Sequence, residues 1–358
     1  MKIENLKLIC LQLPGKTGRQ IEVFIFHFSI FIVLCCLALG PAVSAQKPSD
    51  QDEVIRTDTD LTNLLFNATD KNNRFITTLR QEDIRVLEDG VPQTLFTFQR
   101  ETDRPLSIAF LIDVSISEER TLPQEKAAAR TFIESVIRSN KDQAAIIPFE
   151  GYAHLEQPLT NDLLGVYRAL ERVDVAAPSY LGSGPVIPGI ASRPGGALPP
   201  EEGSTAIWDA VALTSRNILA PIAGQRRRAV ILLTDGDDTS SRLDRNQAID
   251  EAIEADAVVY AIGIGDKNYT GVDKGNLNKI AERTGGHAFF PKKEDDLKVA
   301  FAQIEAELRS QYLLAYSSTN KKHDGGYRKM SIEIVNPEMR KEQLRLRYRP
   351  GYFAKRAS

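Results

Sequence analysis

The stretch LSIAFLIDVSIS, residues 106–117, decides the fold. A nearly continuous apolar run ends at Asp113, and two serines follow at alternate positions, Ser115 and Ser117. A strand covered on both faces needs no polar alternation, so the run reads as a central strand of a parallel sheet. In an open α/β sheet, ligands bind beyond the carboxyl ends of the strands, at a topological switch point. Asp113, Ser115 and Ser117 leave the strand at that end. One carboxylate and two hydroxyls are hard oxygen donors. They suit Mg²⁺, which keeps several waters and takes few protein carboxylates.

Two later stretches extend the pattern. Gly203-Ser204-Thr205 precedes a helical run, and residues 229–236, AVILLTDG, form a second buried strand ending at Asp235. Taken in order, Asp-x-Ser-x-Ser at 113–117, Thr205, and Thr-Asp-Gly at 234–236 resemble the von Willebrand factor A domain family, over roughly Pro105 to Arg309. The flanks VLEDGVPQ, LLAYSS and YRPGYFA are more loosely similar to a bacterial secreted subfamily. The resemblance implies a metal-ion-dependent adhesion site. In it Ser115, Ser117 and Thr205 ligate directly, and Asp113 and Asp235 act directly or through water. The implied ion is Mg²⁺, with Mn²⁺ or Ca²⁺ as alternatives, and its open position would take an acidic residue of a protein partner. The bland alternative is that the hydroxyls cap helices and the aspartates end strands.

Strands and helices alternate from residue 105 to 310. Helices are expected at Leu122–Arg138, Asn161–Val173, Thr205–Leu219, Asp244–Ala255, Leu277–Thr284 and Glu294–Arg309. Strands are expected at Gln143–Phe149, Arg228–Thr234, Val258–Ile264 and His287–Pro291, with a short edge strand at Ala153–Pro158. Such alternation implies a doubly wound, mostly parallel sheet flanked by helices, with right-handed crossovers. An insertion at 174–203 interrupts it. Pro178, Pro185, Pro188, Pro194, Pro199 and Pro200, interleaved with glycines, bar helix and central strand alike. A loop of about 30 residues is usually functional or disordered, and this one runs directly into Thr205.

Both flanks read as β structure. In 54–104, strands are expected at Leu61–Ala68, Phe75–Leu79, Ile84–Glu88 and Thr94–Gln99, with Asp89-Gly90 as a hairpin signal. In 311–358, they are expected at Gln311–Tyr316, Arg328–Val335 and Leu344–Tyr348. A segment of about 50 residues is marginal alone. The first strand of the α/β unit runs towards the metal face and its last helix runs back, so both ends of the unit lie at the opposite face. The flanks are therefore expected to join into one β-sandwich-like domain, into which the α/β unit is inserted.

Residues 1–45 read as a signal peptide. Lys2, Lys7, Lys16 and Arg19 precede an apolar stretch from Val23 to Leu39, and Pro41-Ala-Val-Ser-Ala45 offers small residues for cleavage. An uncleaved membrane anchor is the alternative. Residues 46–53 form a polar leader. The expected location is secreted, periplasmic or cell-surface. All 3 cysteines fall in this first segment, so the chain beyond it has no disulfide framework and no thiolate site.

The chain has 358 residues with a formal net charge of −3, which does not suggest a nucleic-acid binder. Its 4 histidines include no pair at zinc spacing, and neither a nucleophile elbow nor a phosphate-binding loop is present. No enzymatic activity is expected. The function the residues suggest is a secreted or envelope-associated, metal-dependent protein-binding module. The alternatives are a structural envelope protein whose metal only stabilises the fold and, less favoured, a metal-dependent hydrolase. Asp237 and Asp238 read as a solvated loop, and Arg226-Arg227-Arg228 as a solvated lead-in to a strand. The basic C-terminal residues, Arg345, Arg347 and Arg349 among them, read as charges alternating along one strand face. Asp266 to Gly271 opens like a calcium loop, but Leu277 stands where the bidentate Glu belongs.

Overall fold

The structure is a computed structural model and describes residues 61–100, 103–175, 204–222, 226–264 and 272–356. The N-terminal signal or anchor, the polar leader, nearly all of the 174–203 insertion and the Asp266–Gly271 loop lie outside the described residues.

Four strands come first: β1 Leu61–Thr69, β2 Ile84–Glu88, β3 Val91–Gln93 and β4 Leu95–Arg100. The central unit follows with β5 Leu106–Asp113, α1 Leu122–Val136, β6 Gln143–Phe149, β7 Gln157–Thr160 and α2 Leu163–Arg172. It continues with α3 Ile207–Leu213, β8 Arg227–Thr234, α4 Arg245–Glu254, β9 Ala257–Gly263, α5 Lys274–Thr284, β10 Ala288–Phe289 and α6 Glu294–Arg309. The chain closes with β11 Tyr312–Ser317, β12 Tyr327–Ile334, α7 Pro337–Lys341, β13 Arg345–Tyr348 and β14 Gly351–Phe353.

The central sheet has the order β10-β9-β8-β5-β6-β7, parallel except for the antiparallel edge strand β7. Every residue of β5 is buried. Ile108, Phe110 and Ile112 of β5 pack with α1, α2 and α6 on one face, while Ala109 and Leu111 pack with α3, α4 and α5 on the other. This two-sided cover is why the strand reads as one apolar run rather than an alternation. From β5 the chain crosses to β6 on one side and later returns to β8 on the other. The strand order therefore reverses between β5 and β8, and the switch point lies beyond Asp113 and Thr234.

The flanking strands form two antiparallel four-stranded sheets, β13-β1-β11-β4 and β14-β12-β2-β3. Leu64, Phe66, Tyr312 and Leu314 of the first face Ile84, Val86, Met330 and Ile332 of the second in a shared core. Phe66 and Tyr312 stack with centroids 5.0 Å apart. Each sheet combines strands from before and after the α/β unit, so neither flank closes a sheet alone.

Several expectations need correction. The Asp89-Gly90 turn joins β2 to β3, with Glu88 opposite Val91, and both turn residues have positive φ, 48° and 82°. The chain then switches sheets near Thr94, so β4 pairs with β11 and not with β2. Phe75–Leu79 is not a strand; only Phe75 makes a single bridge, to Thr69. The helix expected from Thr205 starts at Ile207 and ends in a π-helical turn, Thr214–Leu219, where Ala220 N–H donates to Ser215 O at 2.8 Å. The edge strand begins four residues after the expected start and ends two after the expected end, at Gln157–Thr160.

The arginine run is not solvated. Arg226 donates to Leu106 O, Lys141 O and the Ser107 hydroxyl, each at 2.7 Å, and Arg227 is 4% exposed with its guanidinium on Leu308 O and Gln311. These residues tie β8 to β5 and α6 at the end of the sheet away from Asp113. In the C-terminal strands, Arg347 pairs with Glu307 of α6 and Arg349 with Asp256, which exceeds the bland reading of an alternating face.

Candidate metal centre

β5 ends in Asp113, and its carboxylate is fully buried. Oδ1 accepts from Ser115 N–H at 3.0 Å, and Oδ2 accepts from the Thr234 hydroxyl at 2.5 Å. Thr234 is the last residue of β8, so this bond spans the switch point. Burial pushes the Asp113 carboxyl up to about 6; the Thr234 and Ser115 hydrogen bonds oppose it, and the nearby Asp235 charge adds to it. An acid raised by desolvation is one whose charge lacks a counter-charge.

Asp235 follows β8 directly and is 7% exposed. Its Oδ1 accepts from Asp237 N–H at 3.1 Å, and its carbonyl from Asp273 N–H at 3.1 Å. Gly236 has φ +87°, a left-handed turn residue, and its N–H donates to the Thr234 hydroxyl at 3.1 Å. Ser115 is 2% exposed, and the backbone of Ser117 lies in the single 3₁₀ turn Ile116–Glu118.

Thr205 reaches the same end from the other helix layer. It is 4% exposed, and its N–H donates to the Thr239 hydroxyl at 2.8 Å. Its carbonyl accepts from Thr239 and Ser240 N–H at 2.9 and 3.0 Å, so the loop after β8 is stitched to the start of α3. Asp238 completes this stitching. Its Oδ1 accepts from Ile207 N–H at 2.7 Å and from the Ser241 hydroxyl at 2.5 Å, which corrects the reading of a merely solvated loop.

Sequence reasoning missed two acids. Glu118 turns back through a Glu118 N–H to Ser115 O bond of 2.9 Å and is 1% exposed. Carboxylate oxygens of Asp113, Glu118 and Asp235 all lie within 4.8 Å of one another. Glu125, in the first turn of α1, is also 1% exposed and acts on Glu118. Burial raises both glutamates, and their mutual repulsion raises Glu118 further. Glu125 had a signal: it falls in phase with Leu122, Ala129, Phe132 and Val136 on the buried stripe of α1. Glu118 had none, since nothing in the sequence separates it from the exposed Glu119.

The donor set fits a hard divalent cation. It offers carboxylate and hydroxyl oxygens and no sulfur, with Glu118 Oε1 and the Ser204 hydroxyl buried and without hydrogen-bond partners among the described residues. Burial of like charges this close is costly unless a positive charge sits among them.

Residues 196–303 match the model of the von Willebrand factor type A domain. The matched span includes Thr205 and Asp235 and begins after the Asp113–Ser117 motif. No curated protein matches the chain. Among solved structures, the chain is similar to BatB from Bacteroides thetaiotaomicron, at 19% identity, 56% of this chain, 98% of that one and a TM-score of 0.42. It is similar to proximal thread matrix protein 1 of the mussel byssus, described with a zinc-occupied MIDAS motif, at 18% identity, 60% and 49% coverage and a TM-score of 0.46. It is also similar to a von Willebrand factor type A protein from Catenulispora acidiphila, at 17% identity, 71% and 51% coverage and a TM-score of 0.45. The chain spans about half the length of the mussel and Catenulispora proteins.

Proposed function

We propose that the chain, whose residues 196–303 match the von Willebrand factor type A domain, a family that generally mediates metal-dependent protein binding, is a metal-dependent protein-binding module acting outside the cytoplasm. Asp113, Ser115, Ser117, Thr205 and Asp235 hold a divalent cation, Mg²⁺ by the hardness of its donors, and an acidic residue of a protein partner completes the coordination. The observation that carries this is the junction of two buried strand ends, where Thr234 bonds Asp113 across the switch point and Asp235 follows at once. Domains of this family are typically interaction modules rather than enzymes, and no catalytic role is proposed. The extracytoplasmic location rests on the basic and apolar N-terminal sequence. No helix among the described residues is long and apolar enough to cross a membrane.

Within the proposed site, the Thr234 hydroxyl and two backbone N–H groups orient the carboxylates. Thr234 and the Ser115 N–H hold Asp113 in one rotamer, and the Asp237 N–H holds Asp235. The bound cation would supply a positive charge that an acidic side chain can reach.

A second reading has its own support. Asp113, Ser115 and Thr205 are 0%, 2% and 4% exposed, as befits a metal that only stabilises the fold.

Thermal unfolding in EDTA, Mg²⁺, Mn²⁺ and Ca²⁺ tests the site. An ion at a hundred times its dissociation constant should stabilise the wild type by about 2.7 kcal/mol and leave Asp113→Ala and Asp235→Ala unchanged. If no ion moves the wild type, the metal reading falls. If chelation lowers the midpoint but no acidic peptide binds in the presence of the ion, the purely stabilising reading wins.

A further inference from the structure

The von Willebrand pattern accounts for two carboxylates, yet a third points among them. Glu118 is 1% exposed, its Oε1 has no hydrogen-bond partner among the described residues, and a carboxylate oxygen of Glu118 lies within 4.8 Å of those of Asp113 and Asp235. Its other oxygen accepts from the Thr121 hydroxyl, which fixes the side chain's direction. Opposite oxygens around Mg²⁺ stand about 4.1 Å apart and around Ca²⁺ about 4.6–5.2 Å, so these three oxygens need little or no movement to share one ion. An isolated buried carboxylate oxygen costs several kcal/mol (about 1–3 for the missing hydrogen bond alone), and a protein keeps one where something absent from the chain satisfies it.

We infer that Glu118 is a ligand of the same cation, a third carboxylate supplied by the chain itself. The inference rests on the metal reading above and deepens it. Two carboxylates balance a divalent cation, and a third leaves the filled centre at −1. Such a centre repels an acidic side chain as long as Glu118 stays in place. An acidic partner must therefore displace Glu118, and the centre at rest is closed by its own chain. The 3₁₀ turn that carries Glu118 is one turn long, so withdrawal needs only that turn to open.

The test is isothermal titration of the full chain with Mg²⁺, Mn²⁺ and Ca²⁺, for the wild type and for Glu118→Gln, Glu118→Asp and Asp113→Ala, with melting in EDTA alongside. Second-layer partners of metal ligands already cost about 10–100-fold in affinity when removed, so loss of a direct ligand in Glu118→Gln should weaken the ion by roughly tenfold or more. Glu118→Asp, which keeps the charge but draws it back, should fall between. In EDTA, Glu118→Gln should melt above the wild type, because one of several crowded buried acids is gone. A merely structural glutamate would do the reverse: its loss would lower the EDTA midpoint and leave the ion's affinity alone. Unchanged affinity in Glu118→Gln overturns the inference, and if Asp113→Ala still abolishes binding, the metal site itself survives. No ion binding in the wild type overturns both.

Discussion

Replacing Arg347 by methionine should destabilise the fold by about 2–4 kcal/mol at pH 8, and by less at pH 5. Glu307 lies in the last turn of α6 and is 1% exposed. Its Oε1 accepts from Arg347 Nη1 of β13 at 2.5 Å, a bond that joins the α/β unit to the flanking sheet. The Asn67 amide also donates to Glu307 O at 2.8 Å, so β1, α6 and β13 meet at this residue. Removing one partner of a buried ion pair costs about 3–5 kcal/mol, because the other charge is left uncompensated. The Arg347 side chain is 37% exposed and solvent shares its charge, which places the cost towards the lower end. Methionine keeps most of the apolar stem, so packing loss contributes little.

The pH dependence follows from two neighbours. Burial raises the Glu307 carboxyl, and Arg347 is the main influence opposing it. His287 Nδ1 lies 3.9 Å from Glu307 Oε1, and burial, with Arg347 second, holds His287 down at about 4. In the wild type the unfolded chain therefore binds more protons at His287 between about 6.5 and 4, and stability contributed there is lost as pH falls through that window. Without Arg347, Glu307 rises further and His287 is released from repulsion. The folded variant then binds protons that the folded wild type does not, and the difference between them narrows from pH 8 to pH 5. Urea unfolding of the wild type, Arg347→Met, Glu307→Gln and the double variant measures this. The double variant should recover much of the loss, since no buried charge is orphaned. A cost in Arg347→Met below about 1 kcal/mol at pH 8, or a cost that grows towards pH 5, would refute the reasoning.

Two further substitutions separate other causes. At Gly286 an added Cβ would stand 2.0 Å from Val259 O, which is backbone of β9, so Gly286→Ala should cost about 3 kcal/mol or more; Gly90 has φ +82° and open space around it, so Gly90→Ala should cost only about 1–2 kcal/mol of left-handed strain. Equal costs in urea titrations would contradict the assignment of one to steric overlap and the other to φ. Asp238→Ala removes the acceptor for Ile207 N–H and should cost about 1 kcal/mol, while calorimetry should read weaker cation binding through the loosened Thr205 segment. Intact cation affinity there would separate the stitching loop from the metal centre.

The central sheet was legible because burial on both faces writes itself into the chain as apolar runs, and Leu106–Asp113 and Arg227–Thr234 have no other comfortable reading. The two flanking sheets were legible through topology more than through local pattern, since the ends of an up-and-back α/β unit must meet. Local detail was harder. β3 and β4 are one run in sequence, yet the chain changes sheets between Gln93 and Leu95, and a sheet switch depends on which partner strands arrive, not on the residues at the corner. The π-helical turn at Thr214–Leu219 likewise left no mark in the periodicity of the helix before it.

The larger misreadings all concern charge. Arg226–Arg228 and Asp238 read as solvated because charged side chains are seldom buried without partners, and Glu118 drew no reading at all. The partners exist, but they lie far away in sequence: Leu106 and Lys141 carbonyls for Arg226, the α3 amide of Ile207 for Asp238. At the lower end of the sheet the buried cations meet carbonyls and Glu307, although Glu307 Oε2 and Arg228 Nε find no hydrogen-bond partner among the described residues. At the upper end the buried charged groups are acids. Glu118 Oε1 and both oxygens of Glu125 have no hydrogen-bond partner among the described residues, beside an Asp113 already desolvated. One strand, β5, thus runs from a pole where buried cations meet carbonyls and a carboxylate to a pole where buried carboxylates crowd together. That asymmetry is what a cation held at Asp113, Asp235 and Glu118 would remove, and it is why the acid that sequence reading passed over is the one whose substitution tells most.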